Sequence, residues 1–145
     1  GQPRTLEFNC RMGDPETQPI LMRLKSDLLD VMLAATDARL HETQLQWDRR
    51  SALGVVLAAH GYPLAPRKGD AIANLPPDAD DLMVFHAGTT QGSDGELLTS
   101  GGRVLCVTAL ADSVKQAQAK AYPVASAIHF DGVQYRKDIG HRAVK

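Results

Sequence analysis

The residue types most able to do chemistry lie near the start of the chain, where Glu7, Asn9 and Arg11 alternate with apolar residues. Read as a β-strand, this stretch places the three polar side chains on one face, about 7 Å apart between successive Cα atoms. Carboxylate and amide oxygens suit a hard cation such as Mg²⁺, which commonly shares its ligands with substrate phosphates. A guanidinium beside that ion could bind a phosphate oxygen bidentately. The alternative, which the spacing alone favours, is an edge strand with a solvated polar face.

A helix is predicted directly after this strand and would help to position it. Gly13 permits a positive φ, Asp14 is a suitable N-cap, and Pro15 suits the first helical position. Glu16 follows in the first turn, where the helix dipole favours a carboxylate. The apolar pattern then predicts helix through about Leu24.

A second helix is predicted after Ser26 and Asp27, with an apolar stripe that is assigned to the core and ends near Leu40. The polar stretch 41–50 is typical of a connection, and a domain boundary is expected there. Beyond it, closely spaced strands and turns predict an antiparallel meander, followed by a main helix capped at Ser113. The predicted strands cover residues 51–60, 71–72, 82–87, 96–99, 103–110 and 133–136.

Composition restricts the class of protein. A chain of 145 residues with a net charge of −1 is typical of one soluble globular domain, or of a small domain plus part of another. No basic tract indicates nucleic acid binding, and no apolar stretch is long enough to span a membrane. Cys10 and Cys106 lack metal-ligand companions and are expected to be reduced, buried thiols of a cytoplasmic protein. Because a turn-like start leads directly into a strand that needs partners, the chain is expected to be a segment of a longer protein.

A longer sequence pattern around Glu7, Asn9 and Arg11 gives a more specific indication of function than these three residues alone. Residues 6–19, Leu-Glu-Phe-Asn-Cys-Arg-Met-Gly-Asp-Pro-Glu-Thr-Gln-Pro, closely resemble the last active-site strand of the phosphoribosylamine–glycine ligase family, within the ATP-grasp superfamily. Glu-x-Asn alone would be a weak signal, but the resemblance continues in order along nearly the whole chain. The further similar blocks are residues 24–28, 60–63, 85–89, 101–105 and 135–140.

This resemblance implies an ATP-dependent ligase of purine biosynthesis. Such an enzyme activates glycine as an acyl phosphate and joins it to 5-phosphoribosylamine, with glycinamide ribonucleotide, ADP and phosphate as products. By the family pattern, Glu7 and Asn9 would bind the Mg²⁺ (or Mn²⁺) ions that bridge the ATP phosphates. Arg11 would lie beside the transferred phosphoryl group, where developing charge needs a fixed cation.

The resemblance also implies a substrate pocket and an architecture. Gly13, Asp14 and Glu16 would line the pocket for glycine and phosphoribosylamine, with Asp14 as the partner of a substrate amine. The fold class is α+β. Residues 1–45 would end an ATP-grasp domain with one strand and two helices, and residues 46–145 would form a small antiparallel-sheet C-terminal domain with one main helix. The remainder of the ATP-grasp protein would be a partner, so the segment alone is not expected to catalyse.

Several alternatives stay open. The chain could belong to another ATP-grasp carboxylate–amine ligase or a biotin-carboxylase-like enzyme, or it could be a non-catalytic structural module. Lys25 could reach a phosphate or be a solvated lysine, and His86 could line a ligand or bind backbone. Arg103 could bind an anion after its two glycines, and Lys137 or the adjacent Asp138 could pair across a domain interface.

Overall fold

The computed structural model describes residues 3–6 and 9–144. Within them the chain forms three α-helices, five β-strands and two short 3₁₀ turns, which confirms the α+β class. The helices are α1 (Thr17–Arg23), α2 (Leu28–Thr36) and α3 (Val114–Ala127). The strands are β1 (Ser51–Ala58), β2 (Leu82–His86), β3 (Thr89–Gln91), β4 (Leu97–Thr99) and β5 (Arg103–Ala111). None of the described helices is both long and apolar enough to cross a membrane.

The main sheet has the strand order β1-β5-β2, and both pairings are antiparallel, as predicted. The predicted meander is wrong for this sheet, because β5 lies between β1 and β2 and so consecutive strands are not neighbours. Val55 of β1 and Val84 of β2 both lie opposite Val107, so β5 is the central strand. A central strand that is covered on both faces should be apolar throughout, and residues 104–110 are all buried. β3 and β4 form a separate two-stranded sheet.

Helix α3 covers one face of the main sheet and closes the core. Its cap is the predicted Ser113, whose hydroxyl accepts a hydrogen bond from the Gln116 N–H at 3.2 Å. Small residues let the helix approach the sheet closely, since Ala117, Ala121 and Ala125 are fully buried. The sheet side of this core comes from alternate residues of β1, namely Leu53, Val55 and Leu57, with β5 beside them.

Helix α1 lies on the opposite face of the same sheet, against β1 and β5. Gly54 permits this contact, because a Cβ atom at that position would lie 3.2 Å from Pro19 Cγ and 3.0 Å from Cys106 Sγ. Two backbone hydrogen bonds and the Arg23 side chain further join the end of α1 to residues 46–48. The chain therefore builds three layers: α3, the sheet, and α1. The division into domains 1–45 and 46–145 stays a prediction.

Three local predictions for the first 40 residues are wrong. Of the predicted strand 4–10, residues 4–6, 9 and 10 are described and form no strand, and Glu7 and Phe8 lie outside the described residues. Helix α1 begins at Thr17 without a side-chain cap from Asp14. Helix α2 begins as predicted, with the Asp27 carboxylate accepting from the Leu29 N–H, but ends at Thr36, just before a positive φ of 57° at Ala38.

The apolar stripe of α2 is not core. Leu29, Met32 and Leu33 each expose more than half of their surface, and Ala34 is the buried residue of the helix. A hydrophobic stripe shows that a helix needs a covering surface, but the described residues of this chain do not supply one.

Candidate functional site

The loop 13–16, between the start of the chain and α1, contains the three residues predicted to line a substrate pocket. The Glu16 carboxylate folds back and accepts from the Gly13 N–H at 2.8 Å, while Thr17 donates to the Gly13 carbonyl through its N–H and its hydroxyl. Gly13 does not adopt the expected positive φ. Its need for glycine is steric, because a Cβ atom there would lie 2.7 Å from Glu16 Cδ.

Asp14 of this loop is joined to the sheet by Arg103, the first residue of β5. Arg103 Nη1 donates to the Asp14 carbonyl oxygen at 2.7 Å and lies 3.1 Å from Asp14 Oδ2. On its other side, Arg103 Nε donates to the Tyr62 hydroxyl at 2.9 Å. The Tyr62 hydroxyl and the Asp14 carboxylate raise the pKa of Arg103, so the guanidinium stays charged. The sequence left open whether Arg103 binds an anion, and in this structure the carboxylate beside it is that of Asp14.

Asp14 and Arg103 both line a cavity of about 580 Å³. Its apolar wall is the α1-facing side of β1, together with Pro15 and Ile139. The polar residues that line it are Asp14, Tyr62, Arg103, Gln134, Tyr135 and Arg136. A mostly apolar cavity with a few convergent polar groups of both charges is typical of a site for a small polar ligand.

Arg136 brings the second positive charge to this cavity. It forms a two-point ion pair with Asp138, with Nη2–Oδ2 at 2.7 Å and Nε–Oδ1 at 2.9 Å. This pairing raises the pKa of Arg136 and lowers the pKa of Asp138. Asp138 therefore pairs with its neighbour two residues away, and the expected pairing of Asp138 or Lys137 across a domain interface is not seen among the described residues.

The predicted metal and phosphoryl site is only partly described. Glu7 lies outside the described residues. Asn9 and Arg11 are both exposed, and neither lines the cavity. Arg11 Nη1 donates to the carbonyl oxygen of Met12 at 3.1 Å. Within residues 3–6 and 9–144, no group of three or more His, Cys, Asp or Glu is placed to hold a metal ion. The roles of Glu7, Asn9 and Arg11 stay predictions.

The other candidates lie away from the cavity. His86 Nδ1 contacts the Thr89 hydroxyl at 3.1 Å, so its partner is a side chain rather than backbone. Lys25 and Lys137 are exposed. Apart from Asp14 and Arg103, the polar residues of the cavity were assigned no role from the sequence; they are Tyr62, Gln134, Tyr135 and Arg136. Two of the similar blocks, residues 60–63 and 135–140, contain several of them, and these blocks were the available signal.

The fold defines a small α+β domain in which one helix covers an antiparallel sheet and a loop with α1 lies against the other face. The family model for the phosphoribosylglycinamide synthetase C domain matches residues 52–142 of this chain. The chain therefore belongs to the phosphoribosylglycinamide synthetase C-domain family.

Relatives extend the similarity beyond this domain. The chain is 62% identical over 145 residues to the phosphoribosylamine–glycine ligase of Ralstonia nicotianae, a match that covers 100% of this chain and 34% of that protein. It is 53% identical to the enzyme of the same name from Vibrio parahaemolyticus, over 99% of this chain and 34% of that protein. The crystal structure of phosphoribosylamine–glycine ligase from Thermotoga maritima superposes with a TM-score of 0.74 at 38% identity, over 95% of this chain and 34% of that one. The chain thus spans about a third of the length of these relatives.

Proposed function

We propose that this chain is the C-terminal part of a cytoplasmic, ATP-dependent ligase of purine biosynthesis that joins glycine to 5-phosphoribosylamine. The observation that carries this proposal is the similarity over the whole chain, including residues 6–19, to proteins named phosphoribosylamine–glycine ligase. The C-domain family model alone covers residues 52–142, so the similarity of the first 51 residues is independent support for a shared active-site segment.

In this proposal, Glu7 and Asn9 bind Mg²⁺ or Mn²⁺, because a carboxylate and an amide oxygen are the hard ligands that these ions take. When bound there, such an ion would neutralise charge on the ATP phosphates. The phosphoryl group moves from ATP to the glycine carboxylate, giving glycyl phosphate and ADP, and the Arg11 guanidinium lies beside this group during the transfer.

The second half of the reaction needs an amine held next to the glycyl phosphate. In the proposal, Gly13, Asp14 and Glu16 line that pocket, and the Asp14 carboxylate accepts a hydrogen bond from the substrate amine. The amine nitrogen attacks the carbonyl carbon, and the C–O bond to phosphate breaks. The departing phosphate takes up the proton that the amine nitrogen loses, and glycinamide ribonucleotide and phosphate are released. Holding both reactants in this geometry is the main contribution that protein side chains can make to such a transfer.

The test uses the full natural polypeptide that contains this chain, with ADP release measured in the presence of glycine, phosphoribosylamine and Mg²⁺. Glu7→Ala, Asn9→Ala and Arg11→Gln should each lower kcat by about a hundredfold or more, with unchanged thermal unfolding. Arg4→Gln, at an exposed position of the same stretch, is the matched control and should retain activity.

Two results would contradict the proposal. A structural module would retain Mg²⁺-dependent ligation after replacement of Glu7 and Asn9. A different carboxylate–amine ligase would release ADP with another substrate pair and not with glycine and phosphoribosylamine. The 145-residue chain alone should show no turnover that depends on ATP and glycine, since the chain covers only a third of the relatives' length.

A further inference from the structure

The contact between Arg103 and the loop 13–16 joins two parts of the chain that lie 89 residues apart. Arg103 is held in the sheet, since it lies opposite Ala58 of β1 and its carbonyl accepts from the Gly88 N–H at 2.8 Å. Its side chain leaves the sheet and ends on the carbonyl oxygen and the carboxylate of Asp14. The sheet therefore holds both the backbone and the side chain of Asp14, the charged loop residue that lines the cavity.

Tyr62 orients the Arg103 side chain. Its hydroxyl accepts from Arg103 Nε, and its ring lies against the backbone of Gly102, where an added Cβ atom would be 2.5 Å from the ring. The planar guanidinium is therefore fixed at two of its nitrogens, Nε and Nη1. A planar fork held at two points sets direction as well as distance, which a lysine ammonium group does not do.

The ion pair with Arg103 joins Nη1 to the Oδ2 atom of the Asp14 carboxylate at 3.1 Å. The second oxygen, Oδ1, has no partner within the described part of the chain, and Asp14 lines the cavity. A carboxylate with one oxygen bound to a fixed cation presents its other oxygen in a defined direction, and it can accept there from an N–H donor in the cavity.

We infer that Arg103, oriented by Tyr62, is a positioning residue that fixes Asp14 for the amine substrate. This inference rests on the proposed function and deepens it, since a residue of the sheet domain would position the carboxylate that binds the amine substrate. In this inference Arg103 acts through Asp14 and has no direct role in the phosphoryl transfer. Its loss should therefore weaken binding of the amine and leave binding of ATP unchanged.

The experiment compares Arg103→Gln with Arg67→Gln in the full natural polypeptide. Arg67 is a matched control, because it is also ion-paired, to Asp70 and Asp131, and its side chain is 41% exposed against 37% for Arg103. Arg67 contacts neither the loop nor the cavity. Tyr62→Phe is a second, milder variant that removes one hydroxyl group.

The first readout is hydrogen exchange of loop amides without any ligand. The Gly13 and Thr17 N–H groups are hydrogen-bonded within the loop, and their exchange should accelerate by about tenfold in Arg103→Gln, by less in Tyr62→Phe, and not in Arg67→Gln. The second readout is steady-state kinetics, in which KM for phosphoribosylamine should rise by about tenfold or more in Arg103→Gln. KM for ATP should change by less than about twofold, whereas partial unfolding would lower kcat and change neither KM.

Unchanged loop exchange in Arg103→Gln would overturn the inference, because the contact would then not order the loop. Faster exchange with an unchanged KM for phosphoribosylamine would also overturn it, because the loop would not hold that substrate. A wild-type protein without ligase activity would refute the proposed function, and this inference with it. The exchange result would still show whether the contact itself orders the loop, so the two failures are distinguishable.

Discussion

Replacing Gly54 with valine should separate α1 from the sheet. The first added atom, Cβ, would lie 3.2 Å from Pro19 Cγ and 3.0 Å from Cys106 Sγ, closer than such atoms normally approach. Valine adds two further methyl groups to this contact. Overpacking of this kind costs about 1–3 kcal/mol. The better strand propensity of valine offsets up to ~1 kcal/mol of that cost.

With an overpacking cost in the middle of this range, about 2 kcal/mol, the expected loss in the free energy of unfolding is ~1–2 kcal/mol. For a chain of this size this loss lowers Tm by roughly 2–8 °C. Gly54→Ala adds one methyl group and should cost less than Gly54→Val. Urea unfolding followed by circular dichroism measures both values, and an unchanged m-value would show that the same surface is exposed on unfolding.

A double-mutant cycle tests the cause of this loss. Because Pro19 supplies one of the two close atoms, Pro19→Ala should recover at least ~0.5 kcal/mol in the Gly54→Val background compared with the sum of the single effects. Displacement of α1 should also make Cys106 react faster with a thiol reagent. The reasoning fails if Gly54→Val is as stable as wild type, or if the two substitutions are additive.

Two further predictions concern cysteines and pH. Cys10 is exposed and Cys106 is buried, and burial raises the pKa of the Cys106 thiol. A thiol reagent at pH 8 should therefore modify Cys10 in the native protein and Cys106 only on unfolding. Rapid modification of both thiols in the native protein would contradict the structure. Hydrogen bonds from Arg50 lower the pKa of Asp48, so the pair stabilises the fold above the unfolded-state pKa of about 4 and loses that contribution as pH falls below it. Urea midpoints of wild type and Asp48→Asn should therefore differ at pH 7 and converge towards pH 2, and a gap that persists in acid would refute this role for Asp48.

Local patterns predicted most of the sheet domain correctly. Strands β1, β2, β4 and β5 and helix α3 lie where apolar runs, turns and caps placed them. Each of these signals depends on only a few neighbouring residues, since a helix cap involves about three residues and side chains of a strand alternate with a period of two. The expected strands near residues 71 and 134 are present only as isolated bridges, to Leu98 and Ala58, because each segment meets its neighbour at a single residue pair.

The buried state of individual residues was harder to predict. Cys10 was expected to be buried and is exposed, and the stripe with Leu29 and Met32 was expected in the core and lies on the surface. Both errors have one physical cause. An apolar pattern states that a segment needs a covering surface, but it does not state which part of which chain supplies that surface.

By itself, the sequence determined the α+β class, the positions of most strands and the similarity that identifies the family. Each of these depends on residues that are neighbours along the chain. Only the tertiary structure decided that α1 lies on the sheet across Gly54, that Asp14 pairs with Arg103, and that the two border one cavity with Tyr62. Contacts across 89 residues leave no local periodicity or spacing in the chain, because they depend on how the layers pack.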